Sequence, residues 1–233
     1  MEPAEYALMD AAEDGMWWYR ALHARVGDRL EGMRGRVLDA GCGTGGLMAR
    51  LRARRPELAL VGLEWSLPAA RRAAEKSGAP VACGSVNTLP FPAAAFDAAI
   101  AADVLCHQAV APDLALAELR RVLRPGGLLV VNMPAYSWLL SAHDRRVHNR
   151  LRQTAGALRT MLRDAGFARP RAGYWNGLLL PLMIGRRKLG RRGASDVARF
   201  PPWMDATLHA VTALERHLVL PAGGSVLATA IRP

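Results

Sequence analysis

The stretch Val37-Leu38-Asp39-Ala40-Gly41-Cys42-Gly43-Thr44-Gly45-Gly46 constrains this chain more than any other. An apolar segment ends in a glycine-rich turn, and Leu47 to about Ala53 then reads as a helix stopped by Pro56. A strand that must pass through a tight turn straight into a helix is the opening of a βαβ unit. The rest of the chain repeats the alternation.

Further strands are expected at Leu58–Leu63, ending at Glu64, and at Val81–Cys83 and Phe96–Ala101, ending near Asp103. Others follow at Leu128–Asn132, Ala168–Tyr174 and Ser225–Ile231. Helices are expected at Ala69–Lys76, at Asp113–Leu123 with Pro125-Gly126-Gly127 closing it, and at Thr154–Ala165 before Gly166. The pattern predicts an α/β fold, a doubly wound, mostly parallel sheet of seven strands whose buried strands read as near-continuous apolar runs.

Two segments stand outside the alternation. Residues 1–34 read as a helical cap whose stripe of Met16, Trp17, Trp18, Tyr19, Leu22 and Val26 suits either a lid or packing against the sheet. Residues 176–203 read as an insertion before the last strand, apolar at Leu178–Ile184 and basic at Arg186–Arg192. Such a segment can lie on an anionic membrane surface, clamp a phosphorylated or lipid-linked substrate, or form a plain lid helix with a solvated basic end, the reading preferred here. Neither segment breaks the chain, so residues 1–233 are read as one domain.

With 233 residues the chain can bury a substantial core. Its formal charge of +11 raises nucleic acid as a partner. The basic residues are spread along the whole length, however, and all but Lys76 and Lys188 are arginine, which reads as solvated helix faces. Cys42, Cys83 and Cys106 form no C-x-x-C and are odd in number, which argues against a disulfide framework and suits a reducing, cytoplasmic setting. The first 30 residues are acidic and lack a leader's apolar core, and the longest apolar run is too short to span a bilayer.

Ligands of such sheets bind outside the carboxyl ends of the strands, where glycines let the backbone come close and a helix N-terminus offers free N–H groups. Glu64 at the end of the second strand suits the two hydroxyls of a ribose. Gly41-x-Gly43-x-x-Gly46 also satisfies the dinucleotide fingerprint, so the glycines alone leave a nicotinamide cofactor open. Asp39 leans the choice: a carboxylate there sits badly beside a pyrophosphate and well beside an ammonium or sulfonium group.

Taken with Leu89-Pro90-Phe91-Pro92, Phe96-Asp97, Asp103-Val104-Leu105 and Leu123-Arg124-Pro125-Gly126-Gly127-Leu128, the glycine segment resembles the class I S-adenosylmethionine-dependent methyltransferases, of the small bacterial type-11-like kind. The likeness covers about residues 36 to 133. It implies S-adenosylmethionine as cofactor, S-adenosylhomocysteine as product, and a Rossmann-like methyltransferase fold. It further implies that Asp39, Gly41, Cys42 and Gly43 hold the methionine part and underlie the ribose, that Glu64 takes the ribose hydroxyls with Trp65 beside the adenine, and that Ser85 and Val86 flank the base. Asp103 would lie beside the methionine moiety and the methyl group. One departure is Gly84-Ser85-Val86, where the family often has Gly-Asp-Ala, so the aspartate contact to the adenine amino group is missing.

Methyl transfer asks a protein mainly to align a nucleophile with the methyl group and exclude water, with a base useful for an O–H or N–H acceptor. His107, past the fourth strand, and His143 and His148, past the fifth, are the candidate bases. With Trp17, Tyr19 and Tyr174, His107 and His143 are the candidate lining of the acceptor pocket. His143-Asp144 can be read as an oriented base or, with His148, as part of a metal site; no further spacing supports a metal, and none is expected. The resulting reading is an enzyme that methylates an O, N or C nucleophile of a small molecule. An RNA methyltransferase is the alternative raised by the charge, although Asp103-Val104-Leu105-Cys106 stands where an Asn/Asp-Pro-Pro-Tyr-type loop would be. A cofactor-binding protein of this fold that leaves the methyl group in place is the other alternative. The oligomeric state and the acceptor are not encoded in these motifs.

Overall fold

A computed structural model describes residues 3–189 and 200–233, with the side chains of residues 3 and 186–189 excluded. The side chains of the basic stretch Arg186–Arg192 thus lie outside the described residues.

Among the described residues seven strands form one sheet: β1 Gly35–Ala40, β2 Leu58–Glu64, β3 Val81–Cys83, β4 Phe96–Ala102, β5 Leu123–Pro134, β6 Ala168–Trp175 and β7 Ser225–Ile231. Their order is β3-β2-β1-β4-β5-β7-β6. Pairing is parallel from β3 to β5, and β7 runs antiparallel between β5 and β6. The expected doubly wound, mostly parallel sheet is therefore present, with every expected strand in it.

Alternation along the strands splits the core into two faces. Leu38, Ala99, Leu129 and Val131 point to the side covered by Leu116 and Leu119 of α5 (Pro112–Val122) and Leu158 and Leu162 of α7 (Ala155–Asp164). Val37, Ala98, Ile100 and Val130 point to the other side. There they meet Leu22 and Val26 of α2 (Trp17–Arg29), Met48 and Leu51 of α3 (Gly46–Arg54) and Ala73 of α4 (Leu67–Ser77).

The helical segment at 1–34 is two helices, α1 (Pro3–Ala12) and α2, because Met16 before Trp17 is extended at φ −63° and ψ 135°. Lys76 of α4 holds α1 through ion pairs to Asp10 at 2.5 Å and Glu13 at 2.6 Å. β5 begins at Leu123, earlier than the sequence suggests, because Leu123 pairs with Phe96 and Gly127 accepts from Arg232 N–H at 2.9 Å. What reads as a helix stop is thus also a strand start. The apolar run at 178–184 leads into α8 (Leu180–Leu189). Two helices have no counterpart in the sequence reading: α6 (Ala142–Arg146), and α9 (Pro202–Leu214), which packs on α2. No helix among the described residues is long and apolar enough to cross a membrane.

Candidate active site

The strand order reverses between β1 and β4, and a cavity of about 1020 Å³ opens there past the carboxyl ends of the strands. Its floor is the turn after β1. Gly41 has φ +85°, and a Cβ on it would lie 2.4 Å from Val104. Gly43 has φ +56°, and a Cβ there would meet Met9 of α1 at 2.7 Å. At Gly41 both the left-handed backbone and the close approach of Val104 call for glycine, while at Gly43 the left-handed backbone does, since the end of Met9 can move.

Asp39, at the end of β1 just before this turn, is 3% exposed, and its Oδ2 is buried with no hydrogen-bond partner. Burial, with Glu13 and Glu64 adding repulsion, pushes its carboxyl up to about 7. Glu64, at the end of β2, accepts Gly43 N–H at Oε2 (3.0 Å), while Oε1 accepts Ser66 N–H (3.0 Å) and the Tyr6 hydroxyl (2.7 Å). Glu13, just after α1, accepts the Thr44 hydroxyl at 2.6 Å. The first helix is therefore fastened directly over the glycine turn.

Asp103 follows β4 in the left-handed region at φ +56°, a conformation a non-glycine residue adopts at a cost and one often found at functional sites. Asn132 of β5 donates to its Oδ1 at 2.9 Å, and Asn132 Oδ1 accepts Trp175 Nε1–H at 2.9 Å. Burial raises the Asp103 carboxyl to about 7 although Asn132 opposes the shift.

Asp39, Gly41, Cys42, Gly43, Glu64, Trp65, Ser85, Val86 and Asp103 all border this one cavity, Trp65 at its rim with 73% exposure. Trp17, Tyr19, His107, His143 and His148 border it too. Tyr174 does not, which corrects its expected place in the acceptor pocket. Period two along β6 puts it on the face opposite Trp175, where it stacks on Tyr136 with ring centroids 5.5 Å apart and its hydroxyl accepts Ala155 N–H.

The three histidines fall beyond β4 and β5. The His107 and His148 rings lie 5.9 Å apart, and burial together with His148 lowers His107 to about 4, so it is neutral at pH 7. Asp144, beside His143, spends its carboxylate on structure. It caps α6 through Ser141 N–H and Oγ–H, and it pairs with the buried Arg152. No group of three or more metal-capable side chains occurs among the described residues.

Five residues of the site escaped the sequence reading: Tyr6, Glu13, Asn132, Arg152 and Asn176. Asn176 stands in the Tyr174-Trp175-Asn176 segment, which shares a loose layout with small bacterial methyltransferases that assigns it no role.

The residues present fit an adenosyl sulfonium compound. Glycine stands where the turn is tightest, at Gly41; the buried Asp39 Oδ2 has no hydrogen-bond partner among the described residues, and a second carboxylate stands at the end of the neighbouring strand. Sheet order, glycine turn and strand-end acid define a nucleoside-binding protein of the Rossmann-like class. Residues 38–131 match the family model described as a methyltransferase domain, and the sheet around them has the Rossmann-like order.

Comparison with known proteins agrees. Over 131 residues the chain is 35% identical to 24-methylenesterol C-methyltransferase 2 of Oryza sativa subsp. japonica, covering 53% of this chain and 34% of that protein. A SAM-dependent methyltransferase from Thermotoga maritima superposes with TM-score 0.65 at 19% identity, covering 99% of this chain and 96% of that one. The [4+2]-cyclase SpnF superposes with TM-score 0.62 at 25% identity, covering 99% and 94%. The chain spans between 34% and 56% of the length of the first curated relatives it matches.

Proposed function

We propose that the protein transfers a methyl group from S-adenosylmethionine to an O, N or C nucleophile of a small, largely apolar molecule. The observation that carries this reading is the buried Asp39 Oδ2, without a partner among the described residues, beneath a turn whose closest approach requires Gly41. Asp39, Gly41, Gly43, Glu64, Ser85, Val86 and Asp103 would hold the cofactor, which supplies an electrophilic methyl group on a sulfonium. The carboxylates favour a cationic ligand, and the glycines let it lie close against the backbone.

The protein's share of the chemistry is then alignment and exclusion of water. Trp17, Trp18, Tyr19 and Leu22 of α2 line one side, and Leu179 and Met183 line another, giving the cavity an apolar wall beyond the glycine turn. A neutral His107 is able to take a proton at pH 7, while its depressed basicity makes it a weak driver of transfer. Acceptors that are already nucleophilic when neutral suit such a site best. The sterol methyltransferase relative, which acts on a large apolar molecule, supports the apolar acceptor.

A second reading has one specific support, the likeness to a [4+2]-cyclase over nearly the whole chain. In that reading the cofactor is held and the methyl group stays in place. Incubation with S-adenosylmethionine carrying a labelled methyl group, against a panel of apolar acceptors, separates the two. Labelled product with stoichiometric S-adenosylhomocysteine supports transfer. A transformed acceptor without S-adenosylhomocysteine supports the second reading.

A further inference from the structure

Two residues that line the cavity each carry a buried side-chain polar atom with no hydrogen-bond partner among the described residues, Trp17 at Nε1 and Asn176 at Oδ1. Trp17 is 9% exposed and Asn176 4%. Native interiors rarely leave such atoms unpaired, and where they do a ligand is a standard partner. They come from different elements, α2 and the end of β6. Their sequence neighbours Trp18 and Trp175 pack together with ring centroids 5.8 Å apart, which brings α2 and the end of β6 side by side.

Asn176 is a built position. It has φ +58°, which asparagine tolerates better than most residues. Glu215 Oε2 accepts its backbone N–H at 2.7 Å, and its carbonyl accepts Gly224 N–H at 3.1 Å. The side-chain amide reaches Gly224 together with the end of Met183: a Cβ on Gly224 would lie 3.4 Å from Asn176 Nδ2 and 2.8 Å from Met183 Cε. Methionine is the most adaptable of apolar side chains, so the cover over this amide is one a ligand can displace. The surrounding wall is apolar, from Leu22, Leu179, Met183 and Leu208.

We infer that Asn176 and Trp17 form a hydrogen-bonding anchor for the methyl acceptor, and that the acceptor is an apolar molecule bearing a hydroxyl group. The amide oxygen accepts the hydroxyl proton, the indole N–H donates to an oxygen of the same molecule, and the apolar wall takes the hydrocarbon. This identification rests on the methyl-transfer reading above and names its substrate class. A pocket built to pair a hydroxyl discriminates strongly against an analogue that cannot pair, since the buried polar groups are then left unsatisfied.

The test uses 4-nonylphenol and its methyl ether as probes, with quenching of tryptophan fluorescence in protein saturated with S-adenosylhomocysteine as the readout. The expected result is about tenfold tighter binding of the phenol by the unmodified protein. Asn176→Gly, which keeps the left-handed backbone, is expected to bring the two probes within about twofold of each other while the ether binds as before. Trp17→Phe is a second, independent variant expected to narrow the gap, and it decides the matter if Asn176→Gly does not fold. Equal affinities in the unmodified protein, no binding of either probe, or discrimination undiminished in the folded variants would overturn the anchor. Calorimetry of S-adenosylhomocysteine alone separates this from the underlying reading: absence of heat there sinks the cofactor assignment, whereas normal heat with equal probes sinks only the anchor.

Discussion

The Tyr6 hydroxyl donates a 2.7 Å hydrogen bond to Glu64 Oε1, the carboxylate expected to receive the ribose hydroxyls. Burial and the charge of Glu64 make this phenol harder to ionise, so it remains a donor throughout the physiological range. Tyr6 thus presents to Glu64 the same O–H a ribose would. The remaining oxygen is already engaged by Gly43 N–H. A ligand that takes Glu64 must share it with Tyr6 or displace it. Tyr6→Phe is therefore expected to bind S-adenosylhomocysteine tighter, by about two- to tenfold, the worth of one net hydrogen bond. Calorimetry checks it; weaker binding by the variant would mean that Tyr6 supports the cofactor rather than competing with it.

Asp39 sets a pH dependence whose sign follows from its environment. Its folded carboxyl lies at about 7, above the ordinary aspartate value of 3.8, so the folded protein prefers it protonated. Its contribution to stability is then fully present below about pH 4 and is lost as pH rises through 7. Asp39→Asn is expected to be more stable than the unmodified protein at pH 8, with the difference shrinking towards pH 5, as followed by thermal melts. The ammonium group of the ligand's amino-acid part, which S-adenosylmethionine and S-adenosylhomocysteine share, favours the charged form. Affinity for S-adenosylhomocysteine should accordingly rise between pH 5.5 and 7.5, by at most about tenfold per unit for each proton released, and the slope should fall in Asp39→Asn. Identical slopes in both proteins would remove Asp39 from the site.

The strands and the cofactor half were legible because their causes are local. A buried parallel strand must be continuously apolar, and a turn that a ligand approaches must be glycine, so Val37–Gly46 carries both signals within ten residues. The acceptor half is assembled differently. Trp17 is held by Asp205, whose Oδ1 accepts its backbone N–H at 2.7 Å, and Asn176 is held by Glu215. Each partner lies far away in sequence, on or just after a helix that shows no cap or motif. Tyr174 was misplaced for a related reason. The strand was readable at 168–174, but its facing depends on the antiparallel register with β7, which pairs Tyr174 with Val226 and a single-sequence pattern does not supply.

Asn132 ties two other groups together, donating to Asp103 and accepting from Trp175. Asn132→Leu removes both bonds in a residue only 1% exposed. Leaving Trp175 Nε1 and a carboxylate oxygen unpaired is expected to cost about 2–5 kcal/mol in urea denaturation. The same change deletes the interaction that opposes the upward shift of Asp103, so its carboxyl should titrate above 7 in the variant. Carboxyl NMR of selectively labelled aspartate reads this directly; an unchanged Asp103 titration would show that Asn132 does not govern it.

Asp144 and Arg152 make the best-buried ion pair described, with side chains 1% and 3% exposed. Arg152 Nη2 donates to both carboxylate oxygens, at 2.7 and 2.9 Å, and Nη1 donates to the Ala135 carbonyl at 3.0 Å, fastening the segment after β5 to α6. Such a pair adds little over a well-packed apolar replacement, but breaking it strands a charge in the interior. Arg152→Met is expected to cost about 3–5 kcal/mol near pH 7.5, and Arg152→Met with Asp144→Asn to recover much of that. The pH dependence has a definite sign. With its cation gone, the buried Asp144 carboxyl is pushed up, so the single variant's deficit is largest at high pH and shrinks as acid protonates it. Urea midpoints measured from pH 5 to 8 test both halves. A deficit that does not depend on pH would mean lost packing of the Arg152 stem, rather than an uncompensated carboxylate, is what destabilises the fold.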